Sequence, residues 1–82
     1  MADNIKKVIE DDGTIRYYLG DLHHNPDGPA IEYLDADYEY WQKGQRHNLQ
    51  GPAKSIDGVV EYWIDGRQYA NEVVYRSNIV GF

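Results

Sequence analysis

No cysteine occurs among the 82 residues, and methionine and phenylalanine occur once each. Without cysteine there is no disulfide and no thiolate metal site, which fits a reducing compartment. At this length a single hydrophobic core is thin, and nothing in the composition supplies a covalent or metal staple. Stability must come from aromatic packing or from association. Basic residues are also short: 8 Lys and Arg stand against 14 Asp and Glu, a net charge of −6. That sign opposes direct contact with nucleic acid or an anionic membrane and favours a basic protein partner, besides serving solubility. No apolar stretch approaches a membrane span and residues 1–7 carry no apolar leader core, so a cytoplasmic location is expected.

Tyrosine is what the chain has in plenty, eight residues joined by two Trp. Rings with a polar handle suit a sheet with one wet face, or an interface. Around them the chain repeats itself. Residues 12–34 read DGTIRYYLGDLHHNPDGPAIEYL and residues 35–57 read DADYEYWQKGQRHNLQGPAKSID. A step of 23 positions carries Tyr17 to Tyr40, Tyr18 to Trp41, His24-Asn25 to His47-Asn48 and Gly28-Pro29-Ala30 to Gly51-Pro52-Ala53. A step of 22 then carries Tyr40-Trp41 to Tyr62-Trp63, Gly44 to Gly66 and His47 to Tyr69, after which the match ends. The chain reads as one domain, 1–82, with a half repeat at 5–11, repeats at 12–34, 35–56 and 57–69, and a divergent closing segment at 70–82.

Each unit alternates apolar and polar residues with period two between Gly and Asp turns, so the expected fold is all-β: an antiparallel β-hairpin meander forming a single twisted sheet. Lys43-Gly44 and Asp65-Gly66 fit type I′ turns, and Gly20-Asp21, with glycine first, fits type II′. Asp12-Gly13 and Asp57-Gly58 form the second turn of each hairpin pair, with Asp35-Ala36 as the degenerate member, where Ala36 would be strained at positive φ. Pro29 and Pro52 open return strands. The closing segment can form a last strand, a short helix or a tail; Val73, Val74 and Tyr75 favour the strand, and helix is not strongly indicated anywhere. Register places Ile15, Tyr17 and Leu19 on one face and Arg16 and Tyr18 on the other. Tyr18, Trp41 and Trp63 should thus form a row spaced about 10 Å apart.

Lys43-Gly44-Gln45-Arg46-His47, followed by Gly51, Asp57-Gly58 and Tyr62-Trp63, resembles a MORN-type repeat, similar to the G…LH…DGPA repeats of short phage and bacterial proteins. The likeness spans residues 12–69. It implies a single-layer antiparallel sheet, frequent self-association, and scaffold or binding work without catalysis. The extra residues between His47 and Gly51 and the proline after the glycine depart from the standard pattern, so no partner preference carries over.

Candidate chemistry is sparse. His24 and His47 are repeat-equivalent and lack metal-ligand spacing, which points to structural use in turns; His23 and His24, adjacent on a strand, face opposite ways. Glu32, Asp35, Asp37 and Glu39 fit neither a paired-carboxylate cleft nor a Ca²⁺ loop. No catalytic residue, cofactor or metal is expected. With Glu10, Asp11 and Asp12 the acids would converge on one negative edge, steering a basic partner or guarding the sheet against aggregation. Tyr18, Trp41 and Trp63, ringed by Arg16, Glu39 and Glu61, are either a second core face or interface anchors. The expected site residues are Tyr18, Trp41, Trp63, Glu39, Glu61, Glu32, Asp35 and Asp37, and the partner a protein with a basic surface. The expected function is a non-enzymatic, phage-type inhibitor of the anti-CRISPR or anti-defence kind. It would cover a nucleic-acid-handling protein in the cytoplasm of the host cell. The alternatives are a self-associating structural or scaffold repeat protein, or a small antitoxin or immunity protein, and a homo-oligomer is compatible with each.

Overall fold

The computed structural model describes residues 4–80; the first three residues of the stretch 1–7 and the last two of the closing segment lie outside the described residues. The elements are β1 (Ile5–Ile9), β2 (Ile15–Leu19), β3 (Leu22–His23), β4 (Ile31–Glu32), β5 (Tyr38–Glu39), β6 (Trp41–Gln42), β7 (Gln45–Arg46), β8 (Lys54–Ile56), β9 (Val59–Ile64), β10 (Arg67–Tyr69) and α1 (Glu72–Val80). The main antiparallel sheet runs β1-β2-β4-β5-β8-β9-β10, with β3 beside β2, while β6 and β7 form a separate two-stranded ladder. The mostly-β, antiparallel meander expected from the alternation is present, but the sheet is divided. The second unit's long strand breaks at Tyr40, where Ala30 N–H donates to Glu39 O (2.9 Å) although Ile31 is the partner of Glu39 in the ladder.

The pairing recurs with the sequence. Val8 faces Arg16, and 23 positions later Ile31 faces Glu39. The loops explain why the next step is 22. Loop 34–36 has three residues, closed by Tyr33 N–H to Asp37 O (2.9 Å), and loop 11–13 is closed the same way by Glu10 N–H to Thr14 O (2.8 Å). Ile56 pairs directly with Val59, leaving only Asp57 and Gly58, at φ 52° and 79°, as a type I′ turn. The missing residue is therefore a loop residue. Asp12-Gly13 and Asp35-Ala36 turn the chain within three-residue loops, and Ala36 adopts the positive φ expected to strain it, 65° where Gly13 has 91°.

The His-Asn-x-x-Gly-Pro-Ala motif has a specific use for each residue. His24 Nδ1 accepts the Lys43 N–H (2.9 Å) and His47 Nδ1 the Asp65 N–H (3.0 Å), so each imidazole fastens the hairpin of the following unit. Asn25 and Asn48 turn their own loops, donating to Pro29 O (3.0 Å) and Pro52 O (2.9 Å). Ala30 and Ala53 are fully buried between tyrosine-bearing strands. The whole measures 41 × 35 × 16 Å, a slab with two broad faces.

The strand expected around Val73, Val74 and Tyr75 is a helix instead. Asn71 caps it, its Oδ1 accepting the Val74 N–H (3.1 Å), and Glu72 in the first turn suits the helix dipole. Tyr75 is 1% exposed and lies against the loop at residues 48–51. Burial of one large ring overrides the β-propensity of two valines that remain exposed.

Candidate protein-binding surface

On one face the row of Tyr18, Trp41 and Trp63 is filled in by intervening side chains. The Tyr18 and His23 rings stack at 4.9 Å, His23 lies 5.4 Å from Trp41, and the Arg46 guanidinium sits 4.9 Å from the Trp41 ring and 5.2 Å from the Trp63 ring. Tyr18, Trp41 and Trp63 are all half-buried. Trp41 and Trp63 are thus already engaged with the Arg46 cation of their own chain.

Beside this ladder runs a polar row. Each tryptophan donates its indole N–H to the glutamate two residues before it: Trp41 to Glu39 (3.0 Å) and Trp63 to Glu61 (2.9 Å). In the first unit Arg16 occupies the glutamate position, and the aromatic residue is Tyr18, which has no indole N–H to satisfy. The cation alternates in step: Arg46 meets Glu39, while His23, its counterpart one unit earlier, accepts from Arg16 Nη1 at 3.4 Å.

Glu39 is no surface charge. Buried at 7% exposure, it accepts hydrogen bonds from Tyr33 Oη (2.7 Å), Trp41 Nε1 and Arg46 Nη2 (3.1 Å). Burial alone would raise its carboxyl pKa; these three donors reverse that and leave it lowered. Burial, together with the bond to Glu39, pushes the Tyr33 phenol up to about 12. Glu61, half-buried, adds Lys54 at 3.9 Å. Glu32 pairs with Ile15 and Tyr38, on the opposite face from the tryptophans. Of the acids expected on one edge, Glu39 therefore lies within the polar row and Glu32 on the face opposite it.

The edge itself is formed by the loops. Leu34 lies against Gly13, where an added Cβ would come within 2.6 Å of Leu34 Cδ2, and Asp57 N–H donates to Asp37 Oδ1 (3.2 Å), so the three loops adjoin. Together they carry Glu10, Asp11, Asp12, Asp35, Asp37 and Asp57, with no Lys or Arg in residues 9–14, 33–37 or 56–59. Arg16 reaches over to pair with Glu10 (3.1 Å). Exposed apolar side chains are interspersed: Ile9, Leu34 and Val59 are 64%, 72% and 66% exposed.

The sequence pointed to Glu10, Asp11, Asp12, Asp35 and Asp37 on this edge but missed its apolar members, because an exposed leucine in a turn looks like any loop residue. It also missed Tyr33, His23 and Arg46; the repeated Glu-x-Trp spacing was the available signal. Among the described residues, no three His, Asp or Glu gather as a metal ion would require, and no helix is long and apolar enough to cross a membrane. Comparison with family models, curated proteins and solved structures returns no significant match.

Proposed function

We propose that the protein acts by binding, without catalysis, and that it presents the loop edge to a basic surface of a partner protein. The observation that supports this is the mixture on that edge: six carboxylates around exposed Ile9, Leu34 and Val59. Apolar side chains would be buried on contact, and the charges would steer and select a basic partner. A nucleic-acid-handling protein carries such a surface. Stoichiometric inhibition by covering it, as a MORN-like, phage-type anti-defence or anti-CRISPR protein would do, is the form of the function we favour.

The test compares wild type with a D11K/D35K variant, both side chains being exposed and, among the described residues, in no hydrogen bond or ion pair. Tagged protein is used to recover partners from host lysate at low and high salt. A basic partner whose recovery falls with salt, and falls at least tenfold with the variant, is expected. Recovery unaffected by both changes rejects the edge.

A second reading, self-association as a scaffold, draws on the 16 Å thickness of the slab, which leaves half-buried Trp41 and Trp63 on an uncovered face. Sedimentation of wild type against Trp63→Ala separates the two. A monomer at all concentrations rejects the scaffold.

A further inference from the structure

Tyr75 fills a site that the chain contains twice. Its ring lies 4.7 Å from that of Tyr62. Its hydroxyl accepts the Gly51 N–H at 3.1 Å and shares its proton between the carbonyls of Asn48 and Gly51, the latter at 2.8 Å. One unit earlier the residues equivalent to Tyr62, Asn48 and Gly51 are Tyr40, Asn25 and Gly28. Those three line a cavity of about 300 Å³ between loops 25–28 and 48–50. That volume is at the small end of natural ligand sites. No residue of α1 lines it.

The two copies differ in one telling way. Gln42 stands where the later unit has Ile64, and its amide donates to Asn25 O at 2.7 Å. One of the acceptors that Tyr75 satisfies in the later unit is thus satisfied from within the earlier one. The Gly28 amide and carbonyl, counterparts of the groups that meet the Tyr75 hydroxyl, form no hydrogen bond among the described residues. A Cβ built at Gly28 meets only Asn25 Nδ2, at 3.8 Å, so the backbone there can be approached closely.

We infer that this cavity receives a phenolic side chain, a tyrosine presented by a partner protein, with its ring against Tyr40 and its hydroxyl at the Gly28 backbone. The chain's own Tyr75 is committed to the later copy, where it is almost wholly buried. The inference does not depend on the acidic edge.

An NMR titration of the full chain with N-acetyltyrosinamide, and separately with N-acetylphenylalaninamide, tests it. Saturable shifts at the Gly28 amide and the Tyr40 ring are expected, with the phenylalanine amide at least about fivefold weaker for want of the hydroxyl. The D11K/D35K variant should respond as wild type does, which separates this site from the edge. Equal response to both amides, no saturable shift at Gly28, or shifts centred on Gly51 and Tyr62 would overturn the assignment. Gly28 shifts that grow with protein concentration alone, as the mass doubles, would place a second copy in the cavity and overturn the partner as the source.

Discussion

The two ends of the sheet are built on different terms. At the hairpin tips, residues 20–21, 43–44 and 65–66, successive units are clasped. Gly44 N–H donates to His23 O and Gly66 N–H to Arg46 O, both at 2.9 Å, and each clasp is doubled by an imidazole accepting from the residue before the glycine. At the other end, loops 11–13 and 34–36 have three residues and loop 57–58 two, and among the described residues one hydrogen bond links this end across units, from Asp57 N–H to Asp37 Oδ1. Where bonding recurs in every unit, residue identities recur too. Where it does not, loop length varies while the acidic charge is kept, and recognition has room to evolve.

Stability on these terms rests on the tips and on the polar row behind them, and the proposed recognition on the loops. The strongest breach would be Glu39→Ala. It strips three donors of their acceptor and leaves Arg46 without its carboxylate, a loss of about 3 kcal/mol. In a domain of this size the melting temperature should drop by roughly 12 °C or more. A thermal melt within about 4 °C of wild type would show the row to be dispensable. Next comes the clasp: His24→Ala leaves the Lys43 amide unpaired beside a cavity and should cost about 2 kcal/mol by urea unfolding. His47→Ala, whose side chain is already 18% exposed, should cost about 1 kcal/mol. Equal costs at the two histidines would argue that burial does not matter there.

Legibility in the sequence follows the same division. The meander, the tip turns and the structural use of His24 and His47 were readable because each needs a residue type that few others can replace: glycine at positive φ, or an imidazole acceptor at a fixed place. Gly44 and Gly66 adopt φ 83° and 81° as their turns require. Glu39 was misread as surface charge because its three partners, Tyr33, Trp41 and Arg46, converge only after β4, β5 and β7 come together. The helix was hidden for a related reason. Its deciding contact, Tyr75 with the loop 48–51, spans 24 positions to Gly51 and has no local signature.

The loop end offers a smaller test with the opposite sign. Ala36 sits at φ 65°, a conformation that costs an L-residue about 1 kcal/mol and glycine very little. Because Ala36 is exposed, Ala36→Gly loses no packing and should raise stability by up to about 1 kcal/mol. Gly13→Ala in the equivalent loop should do the reverse, since its Cβ would collide with Leu34. If the two substitutions shift urea midpoints in the same direction, the loops are not equivalent.

The smallest effect is the pH dependence of the ladder. Burial, and then the positive charge of Arg16, lower the His23 pKa below its usual value, with Glu39 opposing. A histidine lowered in the folded state is more readily protonated when unfolded, so its contribution is complete above the unfolded pKa of about 6.5. It declines as pH falls from there toward the lowered folded value. Glu39 acts in a separate window: its folded pKa is lowered from 4.5, so its contribution declines only as pH falls below that. Urea midpoints measured between about pH 8 and pH 4 should therefore fall first below about 6.5. His23→Gln, which keeps a polar side chain but cannot titrate, should flatten that upper limb while leaving the lower one. A variant that loses as much stability as wild type between about pH 7 and 5.5 would move the effect away from His23 and from the Tyr18-to-Trp41 stack that encloses it.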